Sequence, residues 1–223
     1  MQRKIKLIFN LFLSQSVVVL LPNWIWGNLS NWKPWLAFLL FVLLFANSIR
    51  REWLYGNLAD RKTDHQTKST GSTLSYLYLF GGIFLSLWLS VYDHYHHLLS
   101  LPRPDFIEIL GLIFMVSGVV LNTHAAAILG QFYDRLSISE NHQLVKNGVY
   151  KFIRHPIYTS YYFLFSGFCL FYFSLGGFLL LTFVYFSGYA NRIKIEEAML
   201  LETFNEKYKT YMQQTWRLIP FIY

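Results

Sequence analysis

Long apolar runs separated by short polar segments dominate the chain: Ile5–Leu21, Trp35–Ile49, Thr73–Val91, Phe106–Leu129, Ile157–Phe173 and Gly176–Ala190. A helix needs about 17–25 residues to cross a bilayer, so the second and sixth runs must tilt or share a boundary with a neighbour. Only Ser174-Leu175-Gly176-Gly177 separates the fifth run from the sixth, which predicts a tight helical hairpin. The pattern predicts an all-α integral membrane protein with about six transmembrane helices and a C-terminal helical hairpin. One membrane domain is expected, with N-terminal transmembrane helices in 1–129 and a distinct C-terminal region in 130–223. No internal repeat is visible, and Asn57–Ser72 is the one linker-like stretch.

Composition supports this reading. Only 14% of the residues are charged, against 54% hydrophobic and 20% aromatic, whereas a soluble domain carries about 25% charged residues. The net charge of +7 would suit nucleic acid if it were spread over a polar surface. Instead the cations sit between the apolar runs. Six crossings place 17 of the 19 Lys and Arg residues on one side, leaving only Lys33 and Arg103 on the other. The positive-inside rule then puts both termini in the cytoplasm, and the charge reads as topology, with no nucleic-acid partner expected. The start, Met-Gln-Arg-Lys-Ile-Lys before an apolar run, has the look of a signal peptide, but no small-x-small site follows. Pro22, Trp24 and Trp26 fit a retained first span with an aromatic anchor. Cys169 is the only cysteine and lies within an apolar run, as a small hydrophobe would.

Two segments on the cytoplasmic side, flanking the hairpin, carry candidate chemistry. Residues 136–158 are too polar to span and too rich in apolar and aromatic residues for a plain loop. Within them Gly148 can turn with positive φ. Pro156 suits the first position of a helix and biases His155 away from helical geometry. The helix start beside His155 offers unpaired N–H groups that favour an anion. In the second segment, Arg192 and Glu196 stand four apart, on one helical face at the membrane boundary. An Arg fork binds carboxylate or phosphate, and a Glu binds ammonium or ribose hydroxyls. The hairpin brings both segments to one side, so a single cytoplasmic cofactor pocket is expected. His94, His96 and His97 are metal-like in type but fall on the opposite side without a partner set beyond Asp93, so no metal is expected. His124, inside the fourth run, is expected to be buried and hydrogen-bonded.

In order and spacing, the C-terminal residues resemble the isoprenylcysteine carboxyl methyltransferase family and its bacterial relatives. The series runs His142-Gln143-Leu144-Val145, Gly148-Val149-Tyr150 and Arg154-His155-Pro156-Ile157-Tyr158. It continues with Arg192, Glu196-Glu197, Phe204, Glu206, Tyr208, Tyr211 and Arg217-Leu218-Ile219-Pro220. The match covers about Leu129 to Pro220. The resemblance implies a membrane methyltransferase using S-adenosyl-L-methionine, with a lipophilic methyl acceptor and membrane lipids as partners. It implies a cofactor site lined by His142, Gln143, Leu144, Val145, Tyr150, His155, Pro156, Ile157, Tyr158 and Glu196. Arg192 and Glu196 would be the catalytic pair, Glu196 on the cofactor and Arg192 toward the acceptor. A glutamine that contacts the cofactor in the eukaryotic enzymes falls at Arg135 here, a departure from the family pattern. The compact form of the match points to a bacterial inner membrane.

Methyl transfer from a sulfonium needs alignment and desolvation above all. A carboxylate or thiolate acceptor needs no strong base, whereas an amine would need one, for which Glu196 or Glu197 is available. Carboxyl O-methylation of an isoprenylcysteine-like acceptor is the first expectation, with phospholipid N-methylation and thiol S-methylation beside it. An NADPH-dependent membrane reductase and a non-catalytic scaffold are the readings of other classes. No glycine-rich strand-turn-helix of the Rossmann type occurs in the chain.

Overall fold

The computed structural model describes residues 2–55, 73–98, 102–130 and 144–220. Among these the regular structure is helical, apart from one isolated parallel bridge between Ile153 and Trp216. Helix α1 (Gln2–Gln15) passes through a π-turn at Ser16–Leu20 into α2 (Leu21–Trp26). Next come α3 (Trp32–Tyr55), α4 (Thr73–Tyr76), a second π-turn at Leu77–Gly81, α5 (Gly82–His96) and α6 (Asp105–Leu129). A 3₁₀ turn at Gly148–Lys151 leads into α7 (Pro156–Phe171), α8 (Leu175–Phe204) and α9 (Glu206–Gln214).

Among the described residues four stretches are long and apolar enough to cross a membrane: Lys4–Trp26, Trp32–Leu54, Thr73–His96 and Asp105–Leu129. Their large apolar side chains point outward as well as inward. Phe9, Leu13, Leu39, Leu43, Leu85, Ile113 and Val120 are all exposed, which suits lipid and would be untenable as contiguous surface in water. The expected fifth and sixth runs form the hairpin α7–α8. Helix α7 has 16 residues, about 24 Å of rise, and is enclosed by its neighbours: Leu164, Phe168 and Cys169 are fully buried.

Glycine makes that enclosure possible. Gly118 on α6 and Gly167 on α7 lie where the two backbones touch. A Cβ on Gly118 would stand 2.7 Å from the Ser160 carbonyl, and one on Gly167 would stand 2.6 Å from the Gly111 carbonyl. Small residues at such crossings let helices pack by van der Waals contact in lipid, where no hydrophobic force drives them together. At the hairpin, Phe173 takes a left-handed φ of 53°, and the Ser174 hydroxyl accepts from the Gly177 N–H at 3.1 Å, capping α8. The turn thus precedes Gly176 and Gly177, which already belong to α8.

The residues expected on the far side hold helix ends together. Arg103 donates to the carbonyls of His94 (2.8 Å) and Asp93 (3.1 Å), satisfying the end of α5, and Lys33 pairs with Glu108 at 2.5 Å, joining α3 to α6. Fully buried Asn23 accepts from Tyr95 (3.2 Å) and Tyr172 (3.1 Å). The three histidines there have structural roles. His94 contacts the Tyr172 carbonyl, His96 contacts that of Tyr92, and His97 is the left-handed cap of α5. Among the described residues no group of three His, Cys, Asp or Glu is placed to hold a metal ion. His124 departs from expectation: it is exposed. The buried polar residue of that turn is Asn122, which accepts from Asn47 (3.1 Å) and donates to Ser160 (2.9 Å). On a helix the two positions lie about 200° apart, so only one of them can face α7.

Candidate active site

The site is built where α7 begins, and four segments converge there. The approach to α7 turns at Gly148, whose φ is +56°, and continues through the 3₁₀ turn that buries Tyr150. His155 has φ −122° and ψ 57° and is the N-cap residue, with Pro156 at the first helical position. This approach is clasped by the stretch after α9. The Arg154 N–H donates to Trp216 (2.8 Å), the His155 N–H to Arg217 (3.1 Å), and the Trp216 N–H to Phe152 (2.9 Å). The Thr159 hydroxyl donates to the Leu218 carbonyl at 2.7 Å, and Tyr211 donates to the Tyr150 carbonyl at 2.7 Å.

Helix α8 presents Arg192 and Glu196 to this frame, and Tyr158 on α7 bridges them. Its hydroxyl donates to Glu196 Oε2 at 2.7 Å and accepts from Arg192 Nε at 3.1 Å. His155 stacks on Tyr158, with ring centroids 5.6 Å apart and planes 15° from parallel. Its Nδ1 lies 3.7 Å from Glu196 Oε2. The backbone under Tyr158 is fixed by Tyr185, whose hydroxyl donates to the Tyr158 carbonyl at 2.5 Å.

One residue along α8, Glu197 is buried and collects cations. It receives Arg154 Nε at 2.8 Å and Arg217 Nε at 3.0 Å, and His155 Nε2 stands 3.5 Å away. Burial opposes its ionisation, but the neighbouring His155 and Arg154 outweigh that penalty and hold its pKa at about 2. Arg154 also reaches the carbonyls of Met212 (2.9 Å) and Thr215, so one guanidinium ties α7, α8 and α9 together. Among the described residues the buried His155 Nε2 has only the longer contact with Glu197, and the buried Tyr208 hydroxyl makes no hydrogen bond.

Of the residues singled out in the sequence, His155, Tyr158, Arg192 and Glu196 come together directly, with Pro156 and Ile157 in the same turn of α7. Tyr150 is buried in the turn before α7, and Leu144 and Val145 are half-buried at the start of the approach. His142 and Gln143 lie outside the described residues, as does Arg135. The sequence offers Glu197 as a member of the C-terminal series and as a candidate base. A carboxylate held near 2 by His155 and Arg154 is instead a poor base at neutral pH, and it anchors the entry to α7 against α8. Its signal was in the sequence: Tyr189, Ile193 and Glu197 repeat every four residues on the buried face of α8, and an acid on an apolar stripe needs partners. Arg154 and Arg217 supply them. Nothing local in the sequence pairs these two, since 63 residues separate them.

A family model described as phospholipid methyltransferase matches residues 106–207. Among curated proteins, the protein-S-isoprenylcysteine O-methyltransferase of Tribolium castaneum is 30% identical over 150 residues, 62% of this chain and 50% of that protein. A probable protein-S-isoprenylcysteine O-methyltransferase of Oryza sativa subsp. indica is 25% identical over 144 residues, covering 62% of this chain and 75% of its own length. The Saccharomyces cerevisiae protein-S-isoprenylcysteine O-methyltransferase is 29% identical over 117 residues, 51% of this chain and 49% of the yeast protein. The chain thus spans about half the length of the beetle and yeast relatives. A solved eukaryotic intramembrane Ras methyltransferase, isoprenylcysteine carboxyl methyltransferase, superposes with a TM-score of 0.60 at 19% identity, covering 99% of this chain and 83% of that one. The apolar helices define a multi-pass, all-α integral membrane protein, and its fold is shared with that solved structure. Over the matched stretches the chain is similar to the isoprenylcysteine carboxyl methyltransferases and to the phospholipid methyltransferase family model.

Proposed function

We propose that the protein transfers a methyl group from S-adenosyl-L-methionine to the carboxylate of an isoprenylcysteine-like or other lipophilic acceptor. The observation that carries this is the Arg192–Tyr158–Glu196 bridge at the membrane boundary, with buried His155 beside it. The site fits an amino-acid-like cofactor: Glu196 suits an ammonium or ribose diol, and the aromatic rings of Tyr158 and His155 suit a flat base. When bound, the cofactor supplies a methyl group already activated on a sulfonium. What the protein must add is alignment, exclusion of water and charge compensation.

Arg192 is suited to hold an acceptor carboxylate, while Tyr158 fixes the direction of its guanidinium. Glu196 is held in place through the same hydroxyl. Glu197, bound by Arg154 and Arg217, keeps the α7 entry against α8 and takes no proton at neutral pH. An acceptor that is already anionic needs no base, and the Arg192 guanidinium suits a carboxylate, which favours carboxyl O-methylation over transfer to an amine. The chemistry is assigned to the 130–223 region, with 1–129 supplying the N-terminal spans. Six crossings, with the α7–α8 hairpin as the last two and both termini cytoplasmic, agree with the cation distribution. Placement in a bacterial inner membrane rests on the compact form of the C-terminal series.

The test is calorimetry of S-adenosyl-L-methionine on detergent-purified protein, followed by transfer of labelled methyl to N-acetyl-S-farnesylcysteine. Binding, with label released by base as from an ester, supports the reading. Label on phosphatidylethanolamine alone would move the assignment to phospholipid N-methylation. A folded protein that binds NADPH and no S-adenosyl-L-methionine would overturn it.

A further inference from the structure

Tyr208 is 1% exposed, and among the described residues its hydroxyl makes no hydrogen bond. It lies on the inward face of α9 with Tyr211, Met212 and Thr215, at spacings of three, four and seven. The other three of these residues each hold the entry to α7. Tyr211 donates to the Tyr150 carbonyl, and the Met212 and Thr215 carbonyls accept from Arg154. Tyr208 has no such role, though it shares that face and its ring lies against Tyr211, with centroids 5.8 Å apart. Burial raises its pKa above the ordinary range, as do the carboxylates of Glu197 and Glu196, while Arg154 opposes them. The phenol therefore sits within the field of the site as a neutral group.

An unsatisfied buried hydroxyl is destabilising, and phenylalanine would fill the same space without that penalty. Unexplained buried polar atoms of this kind point to a partner of another sort. The amino-acid end of the cofactor brings a cation and an anion. Glu196 and Glu197 suit the cation and repel the anion. The anion needs a neutral or positive donor among them that has not been committed elsewhere. Arg154 is committed to Glu197 and the α9 carbonyls, and the outer edge of Arg192, whose Nε holds Tyr158, is assigned above to the acceptor carboxylate.

We propose that the Tyr208 hydroxyl is a binding group of the site, donating a hydrogen bond to the carboxylate at the cofactor's amino-acid end. The inference rests on the methyltransferase reading above. It is tested with Tyr208→Phe and two probes, S-adenosylhomocysteine and 5′-methylthioadenosine, which lacks the aminocarboxyl group. Both are titrated by calorimetry, and the ligand-free melting temperature is measured alongside. The expected result is a variant that melts at or above wild type, loses at least tenfold in S-adenosylhomocysteine affinity and binds 5′-methylthioadenosine as wild type does. Unchanged S-adenosylhomocysteine affinity, or an equal loss for both probes, overturns the proposal while leaving the methyltransferase reading intact. A clear fall in ligand-free melting temperature overturns it too, by showing that the hydroxyl bonds within the protein. Wild-type protein that binds neither probe brings down the methyltransferase reading and this inference with it.

Discussion

Arg192 and Glu196 share a face of α8 yet communicate through a third residue: the Tyr158 hydroxyl accepts from Arg192 Nε and donates to Glu196 Oε2. A direct pair at this spacing would be an ordinary surface contact of little worth. With the phenol between them, the guanidinium and carboxylate keep their outer edges available for ligands.

Tyr158→Phe removes that bridge while keeping the ring. A hydrogen bond to a charged group contributes about 1.5–3 kcal/mol. The methyl-transfer kcat/KM is expected to fall about tenfold to a hundredfold, with the melting temperature changed by only a few degrees. Activity equal to wild type would remove Tyr158 from the positioning role.

Glu197→Ala leaves Arg154 without its buried carboxylate. Breaking a buried pair costs about 3–5 kcal/mol, so a pronounced drop in detergent melting temperature is expected. The double variant Arg154→Ala, Glu197→Ala is expected to lose less than the two single losses added together. Strict additivity in that cycle would show that the two residues do not act as a pair.

Acid should release the same anchor. The folded-state pKa of Glu197, about 2, lies below its ordinary value of 4.5. Its contribution is therefore fully present above about pH 4.5 and is lost as pH falls from there toward 2. Subtracting the melting profile of Glu197→Gln from that of wild type isolates this group. The difference is expected to shrink across that window, and a flat difference would contradict the assignment.

Gly167→Ala puts a methyl 2.6 Å from the Gly111 carbonyl and 2.7 Å from the Met115 nitrogen. Backbone cannot yield cheaply, so a loss of about 1–3 kcal/mol or more is expected. Gly176→Ala, with nothing within 4 Å of the new methyl, serves as the control and should be neutral or slightly stabilising. Similar melting temperatures for the two variants would argue against the close α6–α7 crossing.

Much of this was legible from local pattern. Apolar runs gave the helices, the polar break near Ser174 gave the hairpin, and Pro156 placed His155 at a helix start. Arg192 and Glu196 were readable because a helix brings residues four apart onto one face. The contacts that escaped are those joining distant segments. Trp216 clasps Phe152 and Arg154, and Arg217 reaches Glu197, through pairings that no local period encodes. His124 failed for a related reason: an ionisable type drew attention, while the choice of inward position belonged to Asn122 and its partners on α3 and α7.

The clasp of 216–218 on 152–159 bears on how the protein is made. Its two halves flank the whole of the α7–α8 hairpin, so the hydrogen bonds that shape the entry to α7 cannot form until that hairpin lies folded between them. Biogenesis therefore has a built-in order, with helix insertion first and assembly of the site afterwards. A chain still being threaded into the bilayer carries every helix of the scaffold before it carries a working pocket.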